Sequence, residues 1–374
     1  MLSFKYLQRT LPRLVSLLPQ VIAPKYALPP IHAYFEVTYR CNLRCEMCHY
    51  LEIIEETETQ RKYKEERNAE EVCRAIDSLS RFSAITFTGG EAIMKSDFQE
   101  IFDYACSRNK VHIISNGTLL TDAVIDRLLA KRLRSIWGSG LFFLGVSLEG
   151  GEALHDKITQ IPGSHRKTLK GLEALIQKRR QLNAKYPQIH LTCVIGKDNV
   201  LDLVSLYDYS EKLGIEVCNF VLENTAEYGH RKGYNQEERL AVPPRPVNPI
   251  DPIVLKEQLD LLVEKSKSYK SQLRFSPNYI STDEIVRYYS NQSSYKDYRC
   301  NIAWSKVAFS AYGDVHSCPH YPLGNFDSDG NAGSRAFFWN AERAKNFRAK
   351  IIQEKIFPGC LGCCQSEYVG TDAS

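Results

Sequence analysis

Six runs of apolar, β-branched or aromatic residues recur at 32–39, 84–88, 111–115, 141–148, 189–195 and 216–222, with helical patterns between them. This alternation constrains the fold more than any other feature of the chain. Strand–helix repeats place successive strands side by side in a parallel sheet with right-handed crossovers. Six such units form an open or partial barrel rather than a full eightfold one. Helix starts are expected where Asn68 is followed three residues on by Glu71, and where Ser96 is followed by Gln99, both capping-box spacings. Further helices are expected over 121–133, 166–184 and 200–213. The predicted class is therefore α/β, with a partial (β/α)6 barrel over residues 34–235.

The flanks differ in character. Residues 1–33 form a basic N-terminal extension with Lys5, Arg9, Arg13 and Lys25, and the first acid is Glu36. Leu2, Phe4, Leu7, Leu11, Leu14, Leu17 and Leu18 give it a partly helical apolar face, which Pro12, Pro19, Pro24, Pro29 and Pro30 divide into short pieces. The ordinary reading is a segment docked on the domain; the functional one is peripheral membrane contact through residues 1–30 or a targeting peptide. Residues 236–289 read as a linker rich in proline (Pro243, Pro244, Pro246, Pro249, Pro252) followed by an amphipathic helix at 253–268. Residues 290–374, rich in Tyr, Ser and Gly, read as a small C-terminal α+β module.

Composition excludes several classes. The 374 residues are 43% hydrophobic and 25% charged, an ordinary globular balance. A net charge of +4 gives no electrostatic case for a nucleic-acid partner. No apolar run reaches the ~18–20 residues that a membrane-spanning helix needs. The unusual quantity is 12 cysteines. Cys73, Cys106, Cys193 and Cys218 lie singly in helix- or strand-like segments and read as small hydrophobes. The others cluster. Cys41, Cys45 and Cys48 fall within eight residues; Cys300, Cys318, Cys360, Cys363 and Cys364 lie in the last 75. Disulfides would require an oxidising compartment. A structural zinc ion would require four ligands, and the first group offers three. Three thiolates on an iron–sulfur cubane leave one iron open, which suits a reactive site. For the second group, four-thiolate zinc remains the competing reading.

In barrels of this kind the active site lies at the C-terminal ends of the strands. Four of these ends are distinctive: the cysteine loop after the first, Thr88-Gly89-Gly90-Glu91 after the second, Ser115-Asn116-Gly117-Thr118 after the third, and Ser147-Leu148-Glu149-Gly150 after the fourth. In this order, Cys41-x3-Cys45-x2-Cys48 and Gly89-Gly90-Glu91 resemble the cluster loop and GGE motif of the radical SAM superfamily, whose core is a partial TIM barrel. The resemblance covers about residues 34–223. It implies a [4Fe–4S] cluster on Cys41, Cys45 and Cys48 whose open iron chelates S-adenosylmethionine. Reductive cleavage would yield a 5′-deoxyadenosyl radical that abstracts hydrogen from substrate. It also implies that Gly89 and Gly90 accept the methionine ammonium, that Glu91 supports it, and that Asn116 and Ser147 approach the ribose or carboxylate. The alternative for Asn116 is a turn residue before Gly117. Met47 replaces the usual aromatic residue, Ala92 the usual proline, and Thr159 the arginine that in relatives can pair with the SAM carboxylate, with Arg166 and Lys157 as conceivable substitutes.

The C-terminal module is similar to SPASM/twitch domains, on Gly313-Asp314-Val315-His316-Ser317-Cys318-Pro319, Leu323-Gly324-Asn325 and Cys360-x2-Cys363. The twitch form implies one auxiliary [4Fe–4S] cluster on Cys300, Cys318, Cys360 and Cys363, with Cys364 as the alternative fourth ligand. The resemblance implies an oxidoreductase-type radical SAM enzyme acting on a small natural-product or sugar-like molecule or, alternatively, maturing a ribosomally made peptide. The few residues before the barrel favour the small molecule. A non-catalytic Fe–S electron carrier or redox sensor is the rival outside enzymology. Pro319 after Cys318 argues against sulfatase maturation. A flavodoxin- or ferredoxin-type donor, a cytoplasmic location and no nucleic-acid partner complete the expectation. His320, Tyr321, Glu223, Tyr228 and His230 lie on suitable loops, but none is assigned as the catalytic acid or base.

Overall fold

The computed structural model describes residues 18–55, 65–226, 240–326 and 338–370. Seven strands run parallel in chain order: β1 (His32–Thr38), β2 (Ala84–Gly89), β3 (Lys110–Ser115), β4 (Gly140–Ser147), β5 (Gln188–Ile195), β6 (Val217–Leu222) and β7 (Gln272–Ser276). The six expected strands appear where the apolar runs placed them. The seventh lies in the stretch read as linker and helix. Its sequence, QLRFS, is short and half polar, so it carried little strand signal.

The sheet continues past β1. Strand β9 (Lys306–Phe309) pairs parallel to β1, and β10 (Asp314–Cys318) and β11 (Tyr321–Asn325) follow as an antiparallel hairpin. The full order is β11-β10-β9-β1-β2-β3-β4-β5-β6-β7, an open mixed sheet that is mostly parallel. A two-stranded ladder, β8 (Tyr298–Arg299) with β12 (Glu367–Tyr368), stands apart from it.

Helices α1 (Ala69–Asp77), α2 (Phe98–Arg108), α3 (Asp122–Ala130), α4 (Glu152–Thr159), α5 (Ser164–Gln181) and α6 (Leu203–Leu213) connect β1 to β6. Helices α7 (Pro252–Ser266), α8 (Thr282–Tyr289) and α9 (Glu342–Glu354) follow. The Asn68 capping box forms with both reciprocal hydrogen bonds. The one expected at Ser96 does not: α2 starts after Asp97, and the Gln99 amide instead donates to Asp103 at 2.8 Å.

The strands bury apolar residues on one face against the helices. Phe87, for example, meets Phe98 of α2 edge-on at 5.4 Å, and Ile113, Leu144, Leu191 and Phe220 share that core. The opposite face of the strands is more polar and only partly covered. Residues 24–28 dock on the C-terminal part: Trp304 donates to the Pro24 carbonyl at 3.0 Å, and Asn340 exchanges hydrogen bonds with both backbone groups of Ala27. Residues 1–17, and with them most of the membrane-contact reading, lie outside the described residues. Among the described residues no helix is long and apolar enough to cross a membrane.

Candidate cluster and cofactor site

The cysteine loop leaves β1 at the C-terminal edge of the sheet and is held from three sides. From β2, the Gly90 amide donates to the Thr38 carbonyl at 2.8 Å and the Glu91 amide to the Arg40 carbonyl at 2.7 Å. From β3, Asn116 Nδ2 donates to Asn42 Oδ1 at 2.9 Å, and Asn42 Nδ2 to Thr118 Oγ1 at 2.8 Å. At the end of α4, the carbonyls of Thr159 and Ile158 accept the amides of Arg44 and Glu46 at 3.0 and 3.1 Å. Within the loop, the Arg44 guanidinium donates to the carbonyls of Cys41 and Leu43.

This geometry explains the two glycines. A Cβ on Gly89, whose φ is +116°, would stand 2.3 Å from the Thr38 carbonyl oxygen; one on Gly90 would stand 2.2 Å from that of Arg40. Only glycine lets the end of β2 lie this close to the backbone leading into Cys41.

Glu91 joins the ends of two strands. Its carboxylate is buried and accepts from Ser115 Oγ at 3.0 Å, the Asn116 amide at 2.8 Å and the Ile93 amide at 3.3 Å. It braces the end of β2 against the end of β3. Burial pushes its pKa up to about 7, against these three hydrogen bonds. Asn116 likewise serves its turn: its Oδ1 accepts the Thr118 amide and hydroxyl at 2.9 and 2.6 Å, while its Nδ2 holds Asn42. Ser147, at the end of β4, is half-buried, and its hydroxyl bonds no described residue.

Glu149 was passed over in the sequence beside Ser147. It is buried, and its carboxylate accepts the Val194 amide at 2.9 Å, tying β4 to β5. Burial raises its pKa to about 7. Its amide donates to His155 Nδ1 at 3.1 Å, and burial, then His165, lowers the His155 pKa to about 4. Thr159, where relatives carry arginine, is buried and spends its hydroxyl on the His155 carbonyl and Ser164. The two suggested substitutes are engaged elsewhere, Arg166 with Glu152 at 3.1 Å and Lys157 with Asp198 at 2.8 Å.

The second cysteine group forms a wall. Cys300, Cys318, Cys360 and Cys363 line one cavity with Leu240, Ile302, Phe347 and Phe357. Cys300 follows β8, Cys318 ends β10, and Cys360 and Cys363 sit on a turn closed by the Cys363 amide on the Cys360 carbonyl at 3.1 Å. Cys364 is exposed and is not part of this wall. His320 lies against the same cavity, and Tyr321 is core, stacked on Phe347 at 4.1 Å. Tyr228 and His230 lie outside the described residues. Glu223, just beyond β6, is half-buried, and burial raises its pKa.

Burial raises the pKa of all seven candidate thiols, Cys48 to about 11 and Cys363 to about 12. Alone they would keep their protons at neutral pH, so ligand duty needs a cationic centre that displaces them. Among the described residues, no three of His, Cys, Asp and Glu converge tightly enough to share a single ion. In a cubane each thiolate reaches its own iron, so wider spacing and a cavity between the sulfurs suit it. The scattered Cys106, Cys193 and Cys218 are buried in the core, as expected of small hydrophobes.

Residues 35–203 match the Radical SAM superfamily. The chain is 31% identical over 195 residues to Fe-coproporphyrin III synthase of Methanosarcina barkeri, a match covering 50% of this chain and 43% of that one. It thus spans less than half of that relative's length. It is 23% identical over 352 residues to the antilisterial bacteriocin subtilosin biosynthesis protein AlbA of Bacillus subtilis, covering 90% of this chain and 67% of that one. Among solved structures, Streptococcus suis SuiB bound to its precursor peptide SuiA superposes with a TM-score of 0.60 at 12% identity, over 97% of this chain and 76% of that one.

Proposed function

The chain carries a radical SAM domain at residues 35–203, and we propose that it uses this domain to oxidise or cross-link a ribosomally made peptide, with an auxiliary cluster beside the substrate. When bound, a [4Fe–4S] cluster with S-adenosylmethionine supplies a 5′-deoxyadenosyl radical, and a second cluster supplies a one-electron acceptor. Cys41, Cys45 and Cys48 would hold the first cluster and leave one iron open; Cys300, Cys318, Cys360 and Cys363 would hold the second. The exposed side chain of Cys364 makes Cys363 the better fourth ligand.

One observation carries the reading: both cysteine sets flank the same partly covered sheet face. The cysteine loop hangs from the end of β1. The four-cysteine cavity lies beside β9, the neighbour of β1. Lys306 of β9 links the second set to β1: its register partner is His32, and its ammonium donates to Gln365, two residues past Cys363. A substrate on that face would lie within reach of both centres. Gly89, Gly90 and Glu91 set the position of the loop, Asn116 holds it to β3, and Ser147 offers an uncommitted hydroxyl at the sheet edge for the cofactor. Glu223 is the acid–base candidate at the same edge.

The similarity to AlbA across nine-tenths of this chain favours a peptide over the small molecule first expected. A tetrapyrrole-like small molecule is the second reading, favoured by the higher identity to Fe-coproporphyrin III synthase over the core. A flavodoxin- or ferredoxin-type donor in the cytoplasm would supply the electron.

The test is anaerobic reconstitution and reduction with dithionite in the presence of S-adenosylmethionine. Formation of 5′-deoxyadenosine is the expected result; its absence with intact clusters would overturn the enzyme reading in favour of an electron carrier. Mass loss in multiples of two hydrogens on a precursor peptide encoded nearby would support the peptide reading, and its absence with turnover of a tetrapyrrole would replace it.

A further inference from the structure

The strands that lead to the cysteine loop and its neighbours at one end begin together at the other. His32, Ala84, Lys110 and Gly140 are register partners across β1 to β4, so the segments entering these strands meet at one edge of the sheet. Asn109, which is buried, ties two of them. Its Nδ2 donates to the carbonyls of Ser80 and Ser83, both at 2.9 Å, and its own carbonyl accepts the Gly140 amide at 2.9 Å. Ser83 Oγ in turn donates to the Pro30 carbonyl ahead of β1.

This edge displays large apolar side chains to water. Phe82, between Ser80 and Ser83, is 95% exposed, and Trp137, on the turn before β4, is 81% exposed. Tyr26 and Leu28 of the segment before β1 are exposed as well, with the Lys345 ammonium 4.7 Å from the Tyr26 ring. Single exposed apolar residues are ordinary; two aromatic side chains on turns that one buried asparagine holds together call for a partner.

The charge on the same edge has one sign. The segments entering β1, β2, β3 and β4 (residues 18–31, 78–83, 109 and 131–139) contain Lys25, Arg81, Lys131, Arg132 and Arg134 and no acid. In the loops leaving β2 to β5 at the other end, acids outnumber cations. Lys131 meets Asp103 of α2 at 3.5 Å, whereas Arg81 and Arg134 are exposed and form no ion pair among the described residues. Asp77, at the end of α1, is taken by Arg108 and Tyr104. A cation in the last turn of a helix answers the helix dipole, but Arg81 and Arg134 stand four residues past the ends of α1 and α3, beyond that duty. Exposed aromatic side chains beside cations, with no acid between, complement the headgroup layer of an anionic bilayer, where apolar and negatively charged groups lie together.

We propose that this edge docks on an anionic lipid surface, with Phe82 and Trp137 entering the headgroup layer and Arg81 and Arg134 meeting lipid phosphates. Docked in this way, the cysteine loop at the opposite strand ends faces away from the lipid. The docking needs no radical chemistry, so its failure leaves the proposed function untouched.

The experiment adds reconstituted full-length protein to vesicles of phosphatidylcholine mixed equally with phosphatidylglycerol, and to vesicles of phosphatidylcholine alone, and measures binding by sedimentation. Binding should be at least tenfold tighter to the anionic vesicles and weaken with added salt. It should fall at least tenfold in Phe82→Ser combined with Trp137→Ser and in Arg81→Gln combined with Arg134→Gln, and be kept in Arg81→Lys combined with Arg134→Lys, whose charge is unchanged. Leu201→Ser, at an exposed apolar residue just beyond β5 at the other end, should bind as the wild type does. Of the three tryptophans, Trp304 and Trp339 are buried, so a blue shift of emission on binding reports Trp137 entering the lipid, and it should be lost in Trp137→Phe. Equal binding to both vesicles, or binding unchanged in both the Ser and the Gln double variants, overturns the proposal. So does a dimer in light scattering that the Phe82 and Trp137 changes dissociate, which would make a second copy the occupant. Equally tight binding to polyglutamate without the emission shift would make the occupant an acidic protein and overturn the lipid reading.

Discussion

Replacing Gly90 by alanine tests whether the glycine pair is there to seat the cysteine loop. The new Cβ would lie 2.2 Å from the Arg40 carbonyl oxygen, 2.7 Å from its carbon and 2.9 Å from the Tyr39 carbonyl carbon. Ordinary contact begins near 3.4 Å, so the backbone must yield by roughly an ångström, and no flexible side chain is available to absorb it. The displaced segment is immediately followed by Cys41. Yielding also lengthens two hydrogen bonds, Gly90 to Thr38 and Glu91 to Arg40. Overpacking of this kind costs about 1–3 kcal/mol, and each lost bond about 0.5–1.5 kcal/mol, so a net loss of about 2–6 kcal/mol is expected. Urea unfolding of the iron-free protein measures the stability. Iron analysis and the electron paramagnetic resonance of the reduced protein, with and without S-adenosylmethionine, measure the site. The midpoint should fall, and iron should drop toward about four per chain from the about eight of two cubanes, with the cofactor-dependent change in the spectrum lost. An alanine variant with the wild-type midpoint and full iron would show that the close approach does not seat the loop.

Other outcomes follow from the same geometry. Changing Cys41, Cys45 and Cys48 together to alanine should leave about half of the iron, since the four-cysteine cavity is untouched; loss of all iron from a folded variant would refute the second ligand set. Cys364→Ser should keep the full complement while Cys363→Ser loses the auxiliary cluster, read by iron content, because only Cys363 faces the cavity. Glu149 is buried with a pKa near 7 against the ordinary 4.5. A carboxyl raised on folding adds stability that is full below about 4.5 and is lost as pH rises through 7. The stability of the iron-free wild type relative to Glu149→Gln should therefore fall by about 2–4 kcal/mol between pH 4.5 and 8; a flat difference would mean that Glu149 is not held in a desolvated site. Asn68→Ala should cost about 1 kcal/mol through the lost capping box, measured by urea unfolding.

The strands and their order were legible because each buries an apolar face against helices, so hydrophobic runs marked them directly. Strand β7 was not, since an edge strand such as QLRFS has less need of apolar residues. The Ser96 cap failed for a local reason: Asp97, next in sequence, takes the helix start, and Gln99 finds Asp103 one turn on. At the site, the cysteines could be grouped by spacing. The brace formed by Glu91 with Ser115 and Asn116 could not, because it depends on which strands become neighbours. Glu149 and the histidines of the polar sheet face were missed for a related reason. His32, His112 and His190 sit one per strand, and the signal that could have found them is the period-2 alternation of basic with apolar residues within runs read only as hydrophobic.

The continuity of the sheet joins these parts into one device. Were the C-terminal cysteines on an independently mobile module, the distance between the two centres and the substrate would vary from molecule to molecule. Here β9 pairs with β1 over His32–Phe35, and β10 carries Cys318 on the next strand. The strand that leads into Cys41 is thus hydrogen-bonded, with one strand between, to the strand that ends in Cys318. Gln365, two residues past Cys363, accepts from Lys306 and from Tyr34 Oη at 3.4 Å, which ties the last cysteine turn to β9 and β1. Electron transfer needs a short, fixed separation, and radical chemistry needs a substrate that cannot turn between hydrogen abstraction and oxidation. A sheet shared by both cysteine sets fixes their separation. Lys306, at its junction, pairs with His32 of β1 and donates to Gln365 beside the last cysteine turn, so loss of its charge should disturb the auxiliary site.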